Sequence, residues 1–132
     1  MARVNFSSPQ LTPPAWAGDF LDRHSLIPGG ARINPADFAA DVEGRKPIKS
    51  GTLLGRTFAE RTAGTGFGVA AATDEEIYLL AFDVTDAVFC ADCELYRHNS
   101  LVKENFLPDW ATMATALKDK IRALYQTTTG VV

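Results

Sequence analysis

The sequence predicts a mainly β protein with some helix: a small, barrel-like sheet body closed by one C-terminal helix and preceded by an extended N-terminal arm. Three observations carry this expectation. Six of the seven prolines (Pro9, Pro13, Pro14, Pro28, Pro35, Pro47) precede Ile48, and proline fixes φ and removes a backbone donor, which disfavours both sheet and helix. Beyond Ile48, short runs of β-branched and aromatic residues alternate with turn residues, the pattern of strands. Near the end, Trp110, Met113, Leu117, Ile121 and Leu124 recur at helical spacing and give one apolar stripe. A length of 132 residues accommodates one domain plus an arm, with the arm expected over 1–47 and the body over 48–132.

Composition narrows the function classes. A hydrophobic fraction of 46% with 22% charged residues supports a real buried core. The net charge of −3 provides no basic footprint for nucleic acid or an anionic membrane. The arm adds none either, because Arg3, Arg23, Arg32, Arg45 and Lys46 are balanced by Asp19, Asp22, Asp37, Asp41 and Glu43. The opening Met-Ala-Arg-Val-Asn-Phe lacks the apolar run of a signal peptide, and no stretch approaches the ~20 apolar residues of a membrane span. A soluble chain made in a cytoplasm is expected.

Along the arm, Pro13-Pro14 favours an extended, polyproline-like segment. Residues 16–26 have the makings of a helical turn or two, limited by Gly18 and by Pro28-Gly29-Gly30. A short helix is predicted at Asn34, with Asn34 as N-cap, Pro35 at the first helical position and Gly44 as its end. Ordering a residue costs ~1–2 kcal/mol of backbone entropy, whereas a fully buried large apolar side chain returns about 1.5–3 kcal/mol. With one such anchor every four or five residues, the arm does not recover its own ordering cost. Its apolar side chains Val4, Phe6, Leu11, Trp16 and Phe20 are therefore expected to lie along a partner, while residues 30–47 have the alternative of packing on the body.

In the body, 48–57 reads as a strand bounded by glycines, with Gly51 or Gly55 expected to mark a bulge or a close backbone approach. Gly64-Thr65-Gly66-Phe67-Gly68 has neither the spacing nor the following lysine-serine pair of a phosphate loop, so a loop between strands is expected. Ile77-Tyr78-Leu79-Leu80-Ala81-Phe82-Asp83-Val84 is apolar on both alternating faces apart from Asp83, which places it in the middle of the sheet. Residues 88–96 give a further strand or a broken pair. Arg97-His98-Asn99-Ser100 supplies a turn, and the runs on either side are expected to form a hairpin. Pro108 and Asp109 mark the start of the closing helix, whose late cations Lys118, Lys120 and Arg122 suit the dipole; an extended tail follows from Thr127.

No catalytic set, metal site or cofactor motif emerges. Cys90 and Cys93 have redox spacing, yet they run into an apparent strand and not onto a helix N-terminus, so semi-buried structural thiols are expected. Zinc would need two further ligands, and only His24 and His98 are available. Neither histidine adjoins a serine nucleophile motif. Asp74-Glu75-Glu76 reads as a solvated turn, and Arg56, Glu60 and Arg61 as a surface ion network.

Taken together, Lys49-Ser50-Gly51-Thr52-Leu53-Leu54-Gly55-Arg56, then 76–84, then Glu94-Leu95-Tyr96-Arg97-His98 leading through Leu101-Val102-Lys103-Glu104-Asn105-Phe106-Leu107-Pro108 into a last helix, resemble the head decoration (cement) proteins of tailed bacteriophages, of the lambda head decoration type. The likeness spans about residues 48–125, and the longer, aromatic-rich arm departs from the minimal pattern. It implies a non-enzymatic virion protein on the outer surface of an expanded capsid, self-associated as a trimer (or dimer), whose N-terminal segment becomes ordered on the major capsid protein. Two alternatives stand beside it: another phage structural component, such as a head-completion or tail protein, and a small thiol-redox or ligand-binding protein using Cys90 and Cys93.

Overall fold

The computed structural model describes residues 15–17, 26–27, 30–89 and 93–129. Strand β1 (Leu53–Arg56) is followed by helix α1 (Phe58–Ala63), β2 (Gly68–Val69), β3 (Glu76–Leu80), β4 (Leu95–Tyr96), β5 (Leu101–Lys103), helix α2 (Thr115–Leu124) and β6 (Gln126–Thr128). Four strands form an antiparallel sheet in the order β2-β1-β3-β4, and β5 pairs in parallel with β6. This is a mixed, mainly β fold with two α-helices. Among the described residues the sheet is open and does not close into the expected barrel.

The apolar pattern of β3 explains the layering. Successive strand residues point to opposite faces, so Ile77 and Leu79 face one way and Tyr78 and Leu80 the other. Their register partners follow suit: Leu53 and Tyr96 flank Leu79, Leu54 pairs with Tyr78, and Leu95 with Leu80. The first face packs with Val102, Leu107, Ile121 and Tyr125, so α2 and the β5–β6 pair cover it. The second face packs with Ile33, Ile48, Phe67 and Cys93, against which Ile27, Ala31 and Phe38 also lie. Residues before Ile48 thus form the second cover, which one long helix alone does not supply.

Those residues act as a strap across the strand edges. Ala17 bridges Val102, Leu26 bridges Tyr96, Ala31 bridges Cys93, Ile33 bridges Phe67 and Ile48 bridges Val84. The backbone bonds are of ordinary length: Lys103 N–H to the Trp16 carbonyl 2.7 Å, Ile27 N–H to Leu95 3.0 Å, Ala31 N–H to Cys93 2.8 Å and Asn34 N–H to Phe67 2.8 Å. Unpaired sheet edges invite pairing with another chain, and here the chain's own strap takes up the outer side of β4 and the approach to β2. A division at residue 48 into free arm and folded body therefore fails over the described part of 1–47. Residues 31–38 and Lys46 pack on the body while 39–45 stay exposed, and Trp16 is only 2% exposed.

Local departures from expectation have local causes. The strand expected over 48–57 is confined to Leu53–Arg56, because Gly51, with φ +86°, turns the chain between the Ile48 bridge and β1. Helix α1 was not anticipated, although Thr57 accepts from Glu60 N–H while the Glu60 carboxylate accepts from Thr57 N–H, and Gly64 closes the helix at φ 80°. The predicted short helix is a single 3-10 turn, Pro35–Asp37, capped as expected by Asn34 and closed at Phe38, not at Gly44. No hairpin joins β4 to β5. Both sides of β4 are occupied, by β3 and by the strap at Leu26 and Ile27, so β5 pairs with β6, while Asn99 N–H donates to Leu124 and Gln126 N–H to Ser100. The closing helix also begins later than its stripe: Trp110–Thr112 forms a 3-10 turn, extended Met113 interrupts, and α2 starts at Thr115. The expected tail is partly β6.

Because Trp16 is a core residue, Trp16→Ala should lower unfolding free energy by about 3–5 kcal/mol, the range for large aromatic truncations in cores. Urea denaturation measures this, and a change near zero would restore the free-arm picture.

Candidate partner-binding surface

Of the five side chains expected to contact a capsid, only Trp16 lies among the described residues; Val4, Phe6, Leu11 and Phe20 lie outside them. Trp16 does not face outward. Its ring meets Tyr96 edge to face, with centroids 5.0 Å apart at 89°, and its indole N–H donates to Ser50 Oγ at 3.0 Å. Ser50 is fixed in turn, its hydroxyl donating to the Ala81 carbonyl at 2.6 Å and its N–H to Asp83 Oδ1 at 2.6 Å. Asp83, the lone polar residue in the central apolar run, thereby holds the turn on which the indole rests. Burial with a partner for the indole N–H is the usual condition of a core tryptophan. As a direct capsid contact Trp16 is thus corrected to a core anchor, and Ala15, exposed, is the last described residue before it.

The polar groups elsewhere are engaged in holding the fold. Glu104, at the start of the 3-10 turn after β5, receives two hydrogen bonds from the Arg122 guanidinium on α2, at 2.9 and 3.2 Å. That bidentate bond holds its carboxyl below the usual carboxylate range; burial opposes the shift, and a hydrogen bond from Thr127 on β6 adds to it. One carboxylate thus ties β5, α2 and β6 together. Burial works against ionisation of Glu76, but hydrogen bonds from Arg56 and Arg61, each 2.7 Å, outweigh it and its carboxyl also titrates low. Within the expected Arg56, Glu60 and Arg61 network only the two arginines converge, on Glu76, while Glu60 serves α1. The remaining carboxylates of that turn are engaged too, Asp74 accepting from Ala71 N–H and Glu75 from Phe58 N–H.

The aromatic and thiol groups follow the same logic. The Tyr125 phenol donates to the Tyr96 carbonyl at 2.7 Å and accepts from Leu79 N–H at 3.1 Å; burial pushes its pKa up, with the Leu79 bond opposing. His98 lies against Tyr78, centroids 4.2 Å apart and nearly parallel, with Nε2 2.6 Å from the Ile77 carbonyl. The Cys93 thiol is buried and donates to the Ala31 carbonyl at 3.0 Å; Cys90 lies outside the described residues. Among the described residues, no three His, Cys, Asp or Glu side chains gather as a metal set, and no helix is long and apolar enough to cross a membrane.

Among the described residues, the exposed large apolar side chains are Val42, Phe58, Val69, Val88 and Phe106. Phe58 lies under the Arg61 guanidinium, 5.0 Å from its ring centroid, and Val69 sits on the outer strand β2. Comparison with protein-family models, with curated proteins and with solved structures found no match.

The low-titrating Glu104 sets a direction for pH dependence. A carboxyl whose pKa is depressed by folding contributes stability that is present above its unfolded value, about 4.3, and lost as pH falls through the folded value. Acidification below about pH 4 should lower the urea midpoint of the native chain, and Glu104→Gln should flatten that dependence by removing one of its sources. An unchanged acid limb in the variant would show that the Arg122 bond does not contribute.

Proposed function

We propose that this protein decorates the outside of an expanded capsid of a tailed phage and stabilises the shell, acting as a non-enzymatic virion component. In this reading it assembles as a trimer on the major capsid protein. The observation that carries the reading is the order of segments: Leu53–Arg56 is β1, Glu76–Leu80 is the central strand, and Leu95-Tyr96, the His98 turn and Val102-Lys103-Glu104 lead to α2. These are the segments on which the likeness to head decoration proteins rests. A second support is the position of Trp16. The fourteen residues ahead of Ala15 contain Val4, Phe6 and Leu11 and precede the first described core side chain, so they are the attachment segment in this reading. Clustering three such segments would raise their effective concentration and turn weak individual contacts into durable binding.

The test uses full-length protein and expanded capsids of the cognate phage. Wild-type protein should co-sediment with them and raise their resistance to heat. Replacing Val4, Phe6 and Leu11 together by Ser should weaken attachment by at least roughly thirtyfold, corresponding to about 2 kcal/mol at one interface hot spot, and leave the fold intact because Trp16 is retained. Failure of the native protein to bind expanded capsids, or micrographs placing it at the neck or tail, would overturn the decoration reading.

A further inference from the structure

An open apolar groove of about 260 Å³ runs between β1, the outer strand β2 and the 108–117 segment, lined by Leu53, Val69, Ala70, Pro108, Met113 and Leu117. Its mouth is apolar as well, since Val69 is 56% exposed. The back of this groove belongs to the cluster that holds Trp16: Leu53 and Ala70 are buried with the tryptophan, and Met113 and Leu117 pack against them. Gly51 shows how close the two are. A Cβ there would stand 2.8 Å from Pro108 Cδ and 2.8 Å from Trp16 Nε1, so the Trp16 indole reaches the groove's Pro108 end while its backbone joins β5 at Lys103.

Ahead of Trp16 in the sequence lie residues 1–14. They carry Val4, Phe6 and Leu11, their only charged side chain is Arg3, and they contain no acidic residue; the charged residue lining the groove is Asp109. Apolar content and charge sign therefore match. Leu11 stands five residues before Trp16, a span of at most ~17 Å when extended, and so short a tether gives an effective concentration on the order of millimolar.

We propose that the groove is the resting seat of this chain's own N-terminal segment, with Leu11 as its principal anchor. The proposal goes beyond the capsid reading and stands without it; where both hold, the capsid competes with the groove for the same segment. A neighbouring copy is the rival donor, disfavoured because the chain's own segment is tethered through Trp16, whose indole reaches the groove.

Met113 makes the test direct, because Met1 is the only other methionine. Full-length protein carrying Cys90→Ala and Gln10→Cys, spin-labelled at residue 10 and 13C-labelled at the methionine methyls, should lose the Met113 methyl signal through paramagnetic broadening. Buried Cys93 does not compete for the label. Adding Leu11→Asp should restore the signal. In a mixture of spin-labelled unenriched chains with enriched native chains, the signal should persist. Without any spin label, Leu11→Asp alone should displace the Met113 methyl resonance while the amide spectrum of the body is kept. A Met113 signal that survives in the self-labelled chain overturns the proposal, as does broadening that appears equally in the mixture, which would assign the groove to a neighbour's segment.

Discussion

A central strand that is apolar on both faces needs a cover on each, and this requirement organises the chain. Ile77 and Leu79 meet α2 and the β5–β6 pair, while Tyr78 and Leu80 meet Ile33, Phe67 and the residues around them. Among the described residues only α2 is long enough to act as a packing helix, at ten residues. The second cover is made of proline-interrupted backbone, which cannot form a regular ladder and docks through isolated bridges instead. Pro35 and Pro47, the described prolines before Ile48, therefore lie in a strap, where they were expected to lie in an arm. The same strap takes up the sheet edge at β4, which would otherwise offer unpaired backbone groups to other chains.

Trp16 fastens the N-terminal end of this arrangement. Its carbonyl accepts from Lys103 N–H on β5, its ring packs on Tyr96 of β4, and its indole reaches Ser50 before β1. Those three contacts join the two sheets and the turn between strap and body. They make Trp16, thirty-two residues ahead of Ile48, the earliest described side chain of the core.

Much of the body was legible because its signals are local. Asn34 caps a turn as its side-chain chemistry dictates, the two-faced run 77–80 is the central strand, and the Leu117, Ile121, Leu124 spacing is a helix. The Thr57/Glu60 capping box is equally local, a helix signal set directly against a strand pattern. What was not legible is long-range. The bridges Leu26–Tyr96 and Ala31–Cys93 join residues far apart in sequence, and one bridge at a time leaves no periodicity to read. The hairpin expectation failed for the same reason, since nothing near Tyr96 announces that residues 26–27 already occupy that edge. A signal was nonetheless present: a strand with two apolar faces and one long helix to cover them implies that other residues supply the missing layer. As for the candidate site, the indole of Trp16 looked like an interface anchor because its partner, Ser50, belongs to a turn whose role depends on Asp83 and Ala81.

The central claim is that the strap folds as one unit with the sheet, and native-state hydrogen exchange tests it most directly. The amides of Ile27, Ala31, Asn34 and Ile48, each bonded to the body, should exchange with the same high protection as those of Leu79 and Leu80 in β3, through global unfolding. Rapid exchange of the strap amides beside a protected β3 would contradict the account and return residues before Ile48 to the role of a separate arm.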